Sequence, residues 1–129
     1  MKLRNVFLAV AILVGIAGAQ ETHLTCTLTH VDGNKVSYHY EKPAMINEAE
    51  STAKFDAGNT DGSASRATFT DTNVSWSDDT STQDLEKRSS YDLSRATGVL
   101  EVSSYSAGRH NSPVTTHSTW QCEVTKKKF

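Results

Sequence analysis

Chemistry in this chain would be sought first in Tyr91-Asp92-Leu93-Ser94-Arg95-Ala96-Thr97-Gly98-Val99-Leu100-Glu101-Val102. The segment sets a carboxylate, a hydroxyl and a guanidinium within four residues, next to a glycine. Such a set of side chains is what a catalytic constellation would need. The same residues also fit a hairpin. If Ser94 opposes Val99, Leu93 and Leu100 share a face and Arg95-Ala96-Thr97-Gly98 form a four-residue loop. Gly98 would supply a positive φ, the Ser94 and Thr97 hydroxyls would bond local backbone, and Arg95 would reach Asp92 or Glu101 in an exposed contact. The hairpin reading explains every residue except the task of Arg95, and it is the expectation carried forward.

Other constellations are weaker. In the Asp56 to Ser63 stretch, Asn59, Asp61 and Ser63 alternate around Gly62, as calcium ligands do. An EF-hand loop then requires Asp and Glu where this chain has Ala57 and Thr68. The five histidines show no metal-ligand spacing, so no metal is expected. His39 is placed on an outward strand face near Thr27, His30 at a sheet end, and His110 and His117 in or near a loop. Serine, histidine and aspartate are abundant but form no nucleophile elbow. Asp78-Asp79 and Asp84/Glu86 read as solvated acidic clusters, and the sequon Asn73-Val74-Ser75 is expected inside a strand. No catalytic residue and no cofactor are assigned; Arg95 and His39 are retained as surface-contact candidates.

The elements that position these residues begin after residue 19. Lys2 and Arg4 precede an apolar run to Ile16, and Ala17-Gly18-Ala19 offers small residues at a cleavage point. This pattern predicts a signal peptide over 1–19, cut before Gln20, with no transmembrane segment after cleavage. No cysteine follows the cut, so no lipid anchor is expected. A single mature domain over 20–129 follows. Without Lys2 and Arg4, 11 basic residues face 15 acidic ones, and the formal charge falls from −2 to −4. A basic stripe is absent, which argues against nucleic acid; Lys126-Lys127-Lys128 reads as a solvated tail. In an exported chain, the two cysteines, Cys26 and Cys122, are expected to form one disulfide closing almost the whole domain.

Period-two alternation dominates. Leu24, Cys26, Leu28 and His30 share one face, Val36, Tyr38 and Tyr40 another, with Asp32-Gly33-Asn34 between them. A three-residue loop, pairing 31 with 35, would set Leu28 opposite Tyr38 and Cys26 opposite Tyr40. Trp120, Cys122 and Val124 form the inward face of a final strand. Short strands are expected over 67–70, 73–77, 91–94 and 99–104, with Phe69, Val74 and Trp76 inward. Residues 46–55 fit a helical turn or a polar strand equally well, and 78–89 and 108–116 read as exposed connections. With both cysteines on apolar strand faces, the expected fold is mainly β, a small antiparallel barrel or sandwich closed by one disulfide between the first and last strands.

The order Asn73-Val74-Ser75-Trp76, then Asp92-Leu93-Ser94-Arg95-Ala96-Thr97-Gly98-Val99-Leu100, then Trp120-Gln121-Cys122 resembles small exported bacterial proteins of mostly uncharacterised role. In these a tryptophan strand precedes an Asp/Ser-Arg-x-Thr-Gly-x-Leu hairpin and a closing cysteine. The resemblance covers about residues 67–122 and implies location and fold more than activity. This chain departs from the commonest form in having Trp-Gln, not a glycine, before the last cysteine. The function expected from all of this is that of a non-catalytic binding protein of the cell envelope, periplasmic or secreted, whose partner is an envelope protein. An inhibitor or immunity protein is its specific form. The alternatives are a carrier of a small apolar ligand such as a lipid and, after that, a hydrolytic enzyme.

Overall fold

The computed structural model describes residues 21–56, 64–110 and 112–125, so residues 1–20, with the expected signal peptide, most of the 56–63 loop and the terminal lysines lie outside the described residues. The strands are β1 (Thr22–Val31), β2 (Asn34–Lys35), β3 (Glu41–Asn47), β4 (Thr52–Phe55), β5 (Ser65–Phe69), β6 (Asn73–Asp79), β7 (Leu85–Ser94), β8 (Val99–Gly108) and β9 (Val114–Val124). All pairings are antiparallel, and from β3 to β9 each strand lies beside the next in sequence. Strand β1 pairs with both β3 and β9, which closes eight strands into an up-and-down barrel and leaves β2 as a short appendage. Closure removes the sheet edges that an open meander would present.

The disulfide is the centre of that closure. Cys26 and Cys122 are direct register partners of β1 and β9, with Cα atoms 3.9 Å apart, and both are buried. The bridge therefore ties neighbouring strands within one sheet rather than crossing a core between two. A bulge between Leu28 and His30 shifts the β1–β9 register, and the Thr29 hydroxyl there donates to the Thr119 carbonyl. Leu24, Leu28, Val74, Leu93, Leu100 and Trp120 fill the interior from alternate positions of their strands.

The first hairpin departs from expectation. Val31 pairs with Asn34, so the loop has two residues, not three. Asp32 and Gly33 both hold positive φ, 50° and 84°, the geometry of the turn that matches strand twist. That register alone would turn the next strand inside out. Residues 37–39 instead loop out: the Val36 N–H still donates to the Thr29 carbonyl at 3.0 Å, the Leu28 N–H donates to the Tyr40 carbonyl at 2.9 Å, and pairing with β1 resumes at Thr27 and Glu41. Tyr38 and Tyr40, expected to face inward opposite Leu28 and Cys26, are exposed.

Residues 46–55 form the end of β3, a turn and β4, with no helix. The expected connections 78–89 and 108–116 are also partly strand. Strand β7 starts at Leu85, and pairs with β8 from Leu85 and Gly108 down to Leu93 and Leu100. Its first residues are Leu-Glu-Lys-Arg-Ser-Ser, mostly exposed, so no alternation of burial marks them.

Candidate functional site

An up-and-down barrel has two ends, and here they differ. One carries the turns at 48–51, 70–72 and 95–98; the other carries the connections 32–40 and 80–84, together with the ends of β4 and β8 and the starts of β5 and β9. The first end is sealed by Arg95. The register places Leu93 opposite Leu100 and the loop at 95–98, as the sequence predicts, and Gly98 has φ of 77°. Its amide donates to the Ser94 carbonyl at 2.9 Å. Arg95 is not a surface residue, however, and it pairs with neither Asp92 nor Glu101. It is 7 % exposed, donating from Nη1 to the Thr70 carbonyl at 2.6 Å and from Nη2 to Glu48 Oε1 at 2.9 Å. Its backbone N–H donates to the Thr72 carbonyl at 2.8 Å. One residue thus joins three turns at that end.

The opposite end, the mouth, has among the described residues a lining that is aromatic below and polar above. Trp76 stacks on Tyr91 with ring centroids 4.9 Å apart, Phe55 meets Tyr91 at 5.6 Å and the Trp120 ring edge-on at 5.0 Å, and Tyr40 lies 5.9 Å from Trp120. These contacts form a continuous floor across the barrel. Among the described residues, the Trp76 indole N–H is buried without a hydrogen-bond acceptor. Above the floor, Ser65 donates to the Asp78 carboxylate, and Lys42 Nζ lies 3.4 Å from Asp56 Oδ2. The Ser89 and Ser104 hydroxyls meet at 3.3 Å.

Tyr91 links floor and rim. Burial, and then the negative charges of Asp78 and Asp56, push its phenol up to about 12 from an ordinary value near 10. Below pH 10 both folded and unfolded chains keep that proton. Between about 10 and 12 only the native chain keeps it, so native stability falls as pH rises through this window. Denaturant melts at stepped pH are expected to show a steeper alkaline decline in the wild type than in Tyr91→Phe. Equal slopes would mean the phenol is not held protonated by its site.

The mouth also collects exposed apolar groups. Among the described residues, the large hydrophobic side chains left in solvent are Tyr38, Tyr40, Leu85 and Val114, with Tyr38 60 % and Val114 57 % exposed. Tyr38 and Tyr40 sit between β2 and β3, Leu85 opens β7 and Val114 opens β9. All four belong to the mouth end. His39 lies among them, 73 % exposed in its side chain, with Nε2 2.8 Å from Glu41 Oε2. It precedes β3 rather than riding an outward strand face, but it stays at the surface.

The catalytic candidates are not assembled. Asp92 accepts from Asn73 Nδ2 at 2.8 Å and from the Ser75 hydroxyl at 3.3 Å, which also places the sequon inside β6. The closest approach to a triad is Ser103, whose Oγ lies 2.8 Å from His117 Nδ1 on the exposed face of β8 and β9. Asp32 is nearby, yet it accepts from the His117 backbone N–H, not from the imidazole. The acid–imidazole bond that would orient a base is therefore missing. Among the acidic clusters, Asp78 turns to Ser65 and Asp79 to Ser81, whose hydroxyl first and backbone N–H second hold the Asp79 carboxyl below its usual range. Asp84 pairs with Arg109 and Glu86 with Arg88. No group of metal-ligating side chains occurs among the described residues, and Ala57, Asn59, Asp61, Gly62 and Ser63 of the calcium-like loop lie outside them.

Sequence reasoning missed the mouth. Its signal was present in parity: Tyr91 shares a strand face with Leu93, and Trp76 with Val74. Lys42, Phe55 and Asp56 had no such signal, because 42–65 shows no clear period. Together, fold and site define a disulfide-closed, eight-stranded antiparallel barrel with one sealed end and one aromatic, polar-rimmed mouth. Comparison with protein-family models, with curated proteins and with solved structures gives no match to the chain.

Proposed function

We propose that this chain is a non-catalytic binding protein of an exported, oxidising compartment, and that it docks a partner protein through the mouth of the barrel. The observation that carries this is the gathering of Tyr38, Tyr40, Leu85 and Val114 at one end, while the other end is sealed by Arg95. Exposed tyrosines beside charged side chains supply what protein interfaces use: large rigid rings with little entropy to lose, and a polar rim. An inhibitor or immunity protein fits such a surface. The disulfide and the leader-like pattern of residues 1–19 support an exported location. Outward side chains of β5–β8, such as Arg66, Ser75, Asp92 and Glu101, are polar, unlike the apolar band that a membrane barrel turns to lipid.

The test is capture from envelope extract with the oxidised mature protein and with Tyr38→Ser/Val114→Asp. A stoichiometric protein partner retained by the wild type and lost by the double variant is expected. A partner retained equally by both would place the docking surface elsewhere.

A second reading has one observation in its favour. The buried, unpaired Trp76 N–H sits in the aromatic floor, where a small ligand with an apolar body and one acceptor would satisfy it. Native mass spectra of freshly isolated protein distinguish the two. A co-purifying small molecule that is lost in Trp76→Phe would favour the carrier.

A further inference from the structure

The outer wall of the barrel carries a shallow, widely open depression, separate from the mouth. A groove of about 600 Å3 crosses β5–β8, lined in part by Arg66, Ser75, Ser77, Ser90 and Asp92. A second of about 370 Å3 lies further along β6–β9 and reaches Arg88 and Tyr105. Ser77, Ser90 and Ser103 line both, so the two are one trough running along the strands. We propose that this trough binds a neutral oligosaccharide chain.

The lining sets the chemistry. Its middle is a row of serine hydroxyls on paired strands, each able to donate and to accept, with almost no side-chain entropy to lose on binding. Sugar hydroxyls require both capacities at short intervals. At one end, Asp92 is fixed by Asn73 and Ser75, and Glu101 accepts from Thr119 at 3.0 Å, so both carboxylates stand ready as oriented acceptors. Among the described residues no carboxylate pairs with Arg66, which leaves its guanidinium free to donate. At the other end the Arg88 guanidinium lies 5.0 Å over the Tyr105 ring and pairs with Glu86, so that end is closed by an oriented planar cation.

The same lining disfavours other occupants. Carboxylates lie along both halves of the trough, which opposes a nucleic acid or an acidic polysaccharide. An added peptide strand needs a free sheet edge, whereas this surface is the face of paired strands.

Calorimetric and NMR titration of the oxidised mature protein with chitotetraose and with cellotetraose tests the proposal. Saturable binding of at least one is expected, with shifts at Ser77, Ser90 and Ser103. Arg66→Ala and Asp92→Asn are each expected to weaken it at least tenfold, and Tyr38→Ser to leave it unchanged. Ser90→Val, at an exposed strand position that tolerates valine, blocks the centre of the trough and guards against a misfolded Asp92 variant. Absence of binding by either sugar at millimolar concentration would overturn the proposal. So would affinity unchanged by Arg66→Ala and Ser90→Val, or equal affinity for a hyaluronan tetrasaccharide.

Discussion

Reducing the Cys26–Cys122 bond, or replacing both cysteines by alanine, is expected to cost this barrel a large part of its stability. The bridge joins residues 96 apart in sequence, almost the whole described domain. A loop of about a hundred residues, left open in the unfolded chain, corresponds to roughly 4.7 kcal/mol in the chain-entropy account. Native domains hold only about 5–15 kcal/mol in total. The location adds to the effect. β1 and β9 are the ends of the meander, and their pairing is the step that converts an open sheet into a barrel. That pairing has the longest sequence separation in the fold and so the greatest closure entropy. Urea unfolding of the wild type with and without reductant, beside Cys26→Ala/Cys122→Ala, checks this. The expected losses are about 3–5 kcal/mol for both the reduced wild type and the double variant, with no further loss when the variant meets reductant. A loss below about 1 kcal/mol would show that the β1–β9 ladder closes the barrel without its bridge.

Arg95→Ala is expected to follow in size. The guanidinium is buried and spends two donors on the Thr70 carbonyl and on Glu48, while lying 5.8 Å from the centre of the Phe69 ring. Hydrogen bonds involving a charged group contribute about 1.5–3 kcal/mol each when a buried partner is left behind. Glu48 is 45 % exposed and regains water, so most of the loss falls on the Thr70 carbonyl and on packing over Phe69. A total of about 2–3 kcal/mol is expected, seen in the same urea experiment. Arg95→Lys keeps the charge but not the planar fork, and should recover less than half. Glu48→Gln should cost under about 1 kcal/mol. If Arg95→Ala proves as mild as a surface change, within about 0.5 kcal/mol, the three-turn clamp is not what seals this end.

The course of these elements shows where sequence carries structural information and where it does not. The hairpin around Leu93 and Leu100 was legible to the residue, because two apolar positions, local hydroxyls and a glycine all demanded one register. The paired cysteines on inward faces likewise pointed to closure by the first and last strands. The 32–40 region was not legible. There the two-residue Asp32-Gly33 turn and the inward parity of β1 are incompatible, and the chain resolves them by looping out 37–39. Alternation in Val36, Tyr38 and Tyr40 therefore signalled a strand that tertiary pairing declines to form. The polar start of β7 failed in the opposite direction. It is held by the ladder to β8 beyond the packed core, so its side chains bear no mark of burial. Arg95 was misplaced because its partners, Glu48 and Thr70, come from turns brought together only by barrel closure. The mouth was hidden for the same reason: Lys42, Asp56, Asp78 and Tyr91 converge from four strands or their ends.

The proposal that the mouth is the docking end is tested most directly by hydrogen–deuterium exchange on the protein with its captured partner. Protection is expected in the connections 32–40 and 80–84 and at the first residues of β7 and β9, with the turns at 48–51, 70–72 and 95–98 unchanged. Protection confined to the Arg95-sealed end, or to the outer wall of β5–β8, would contradict it.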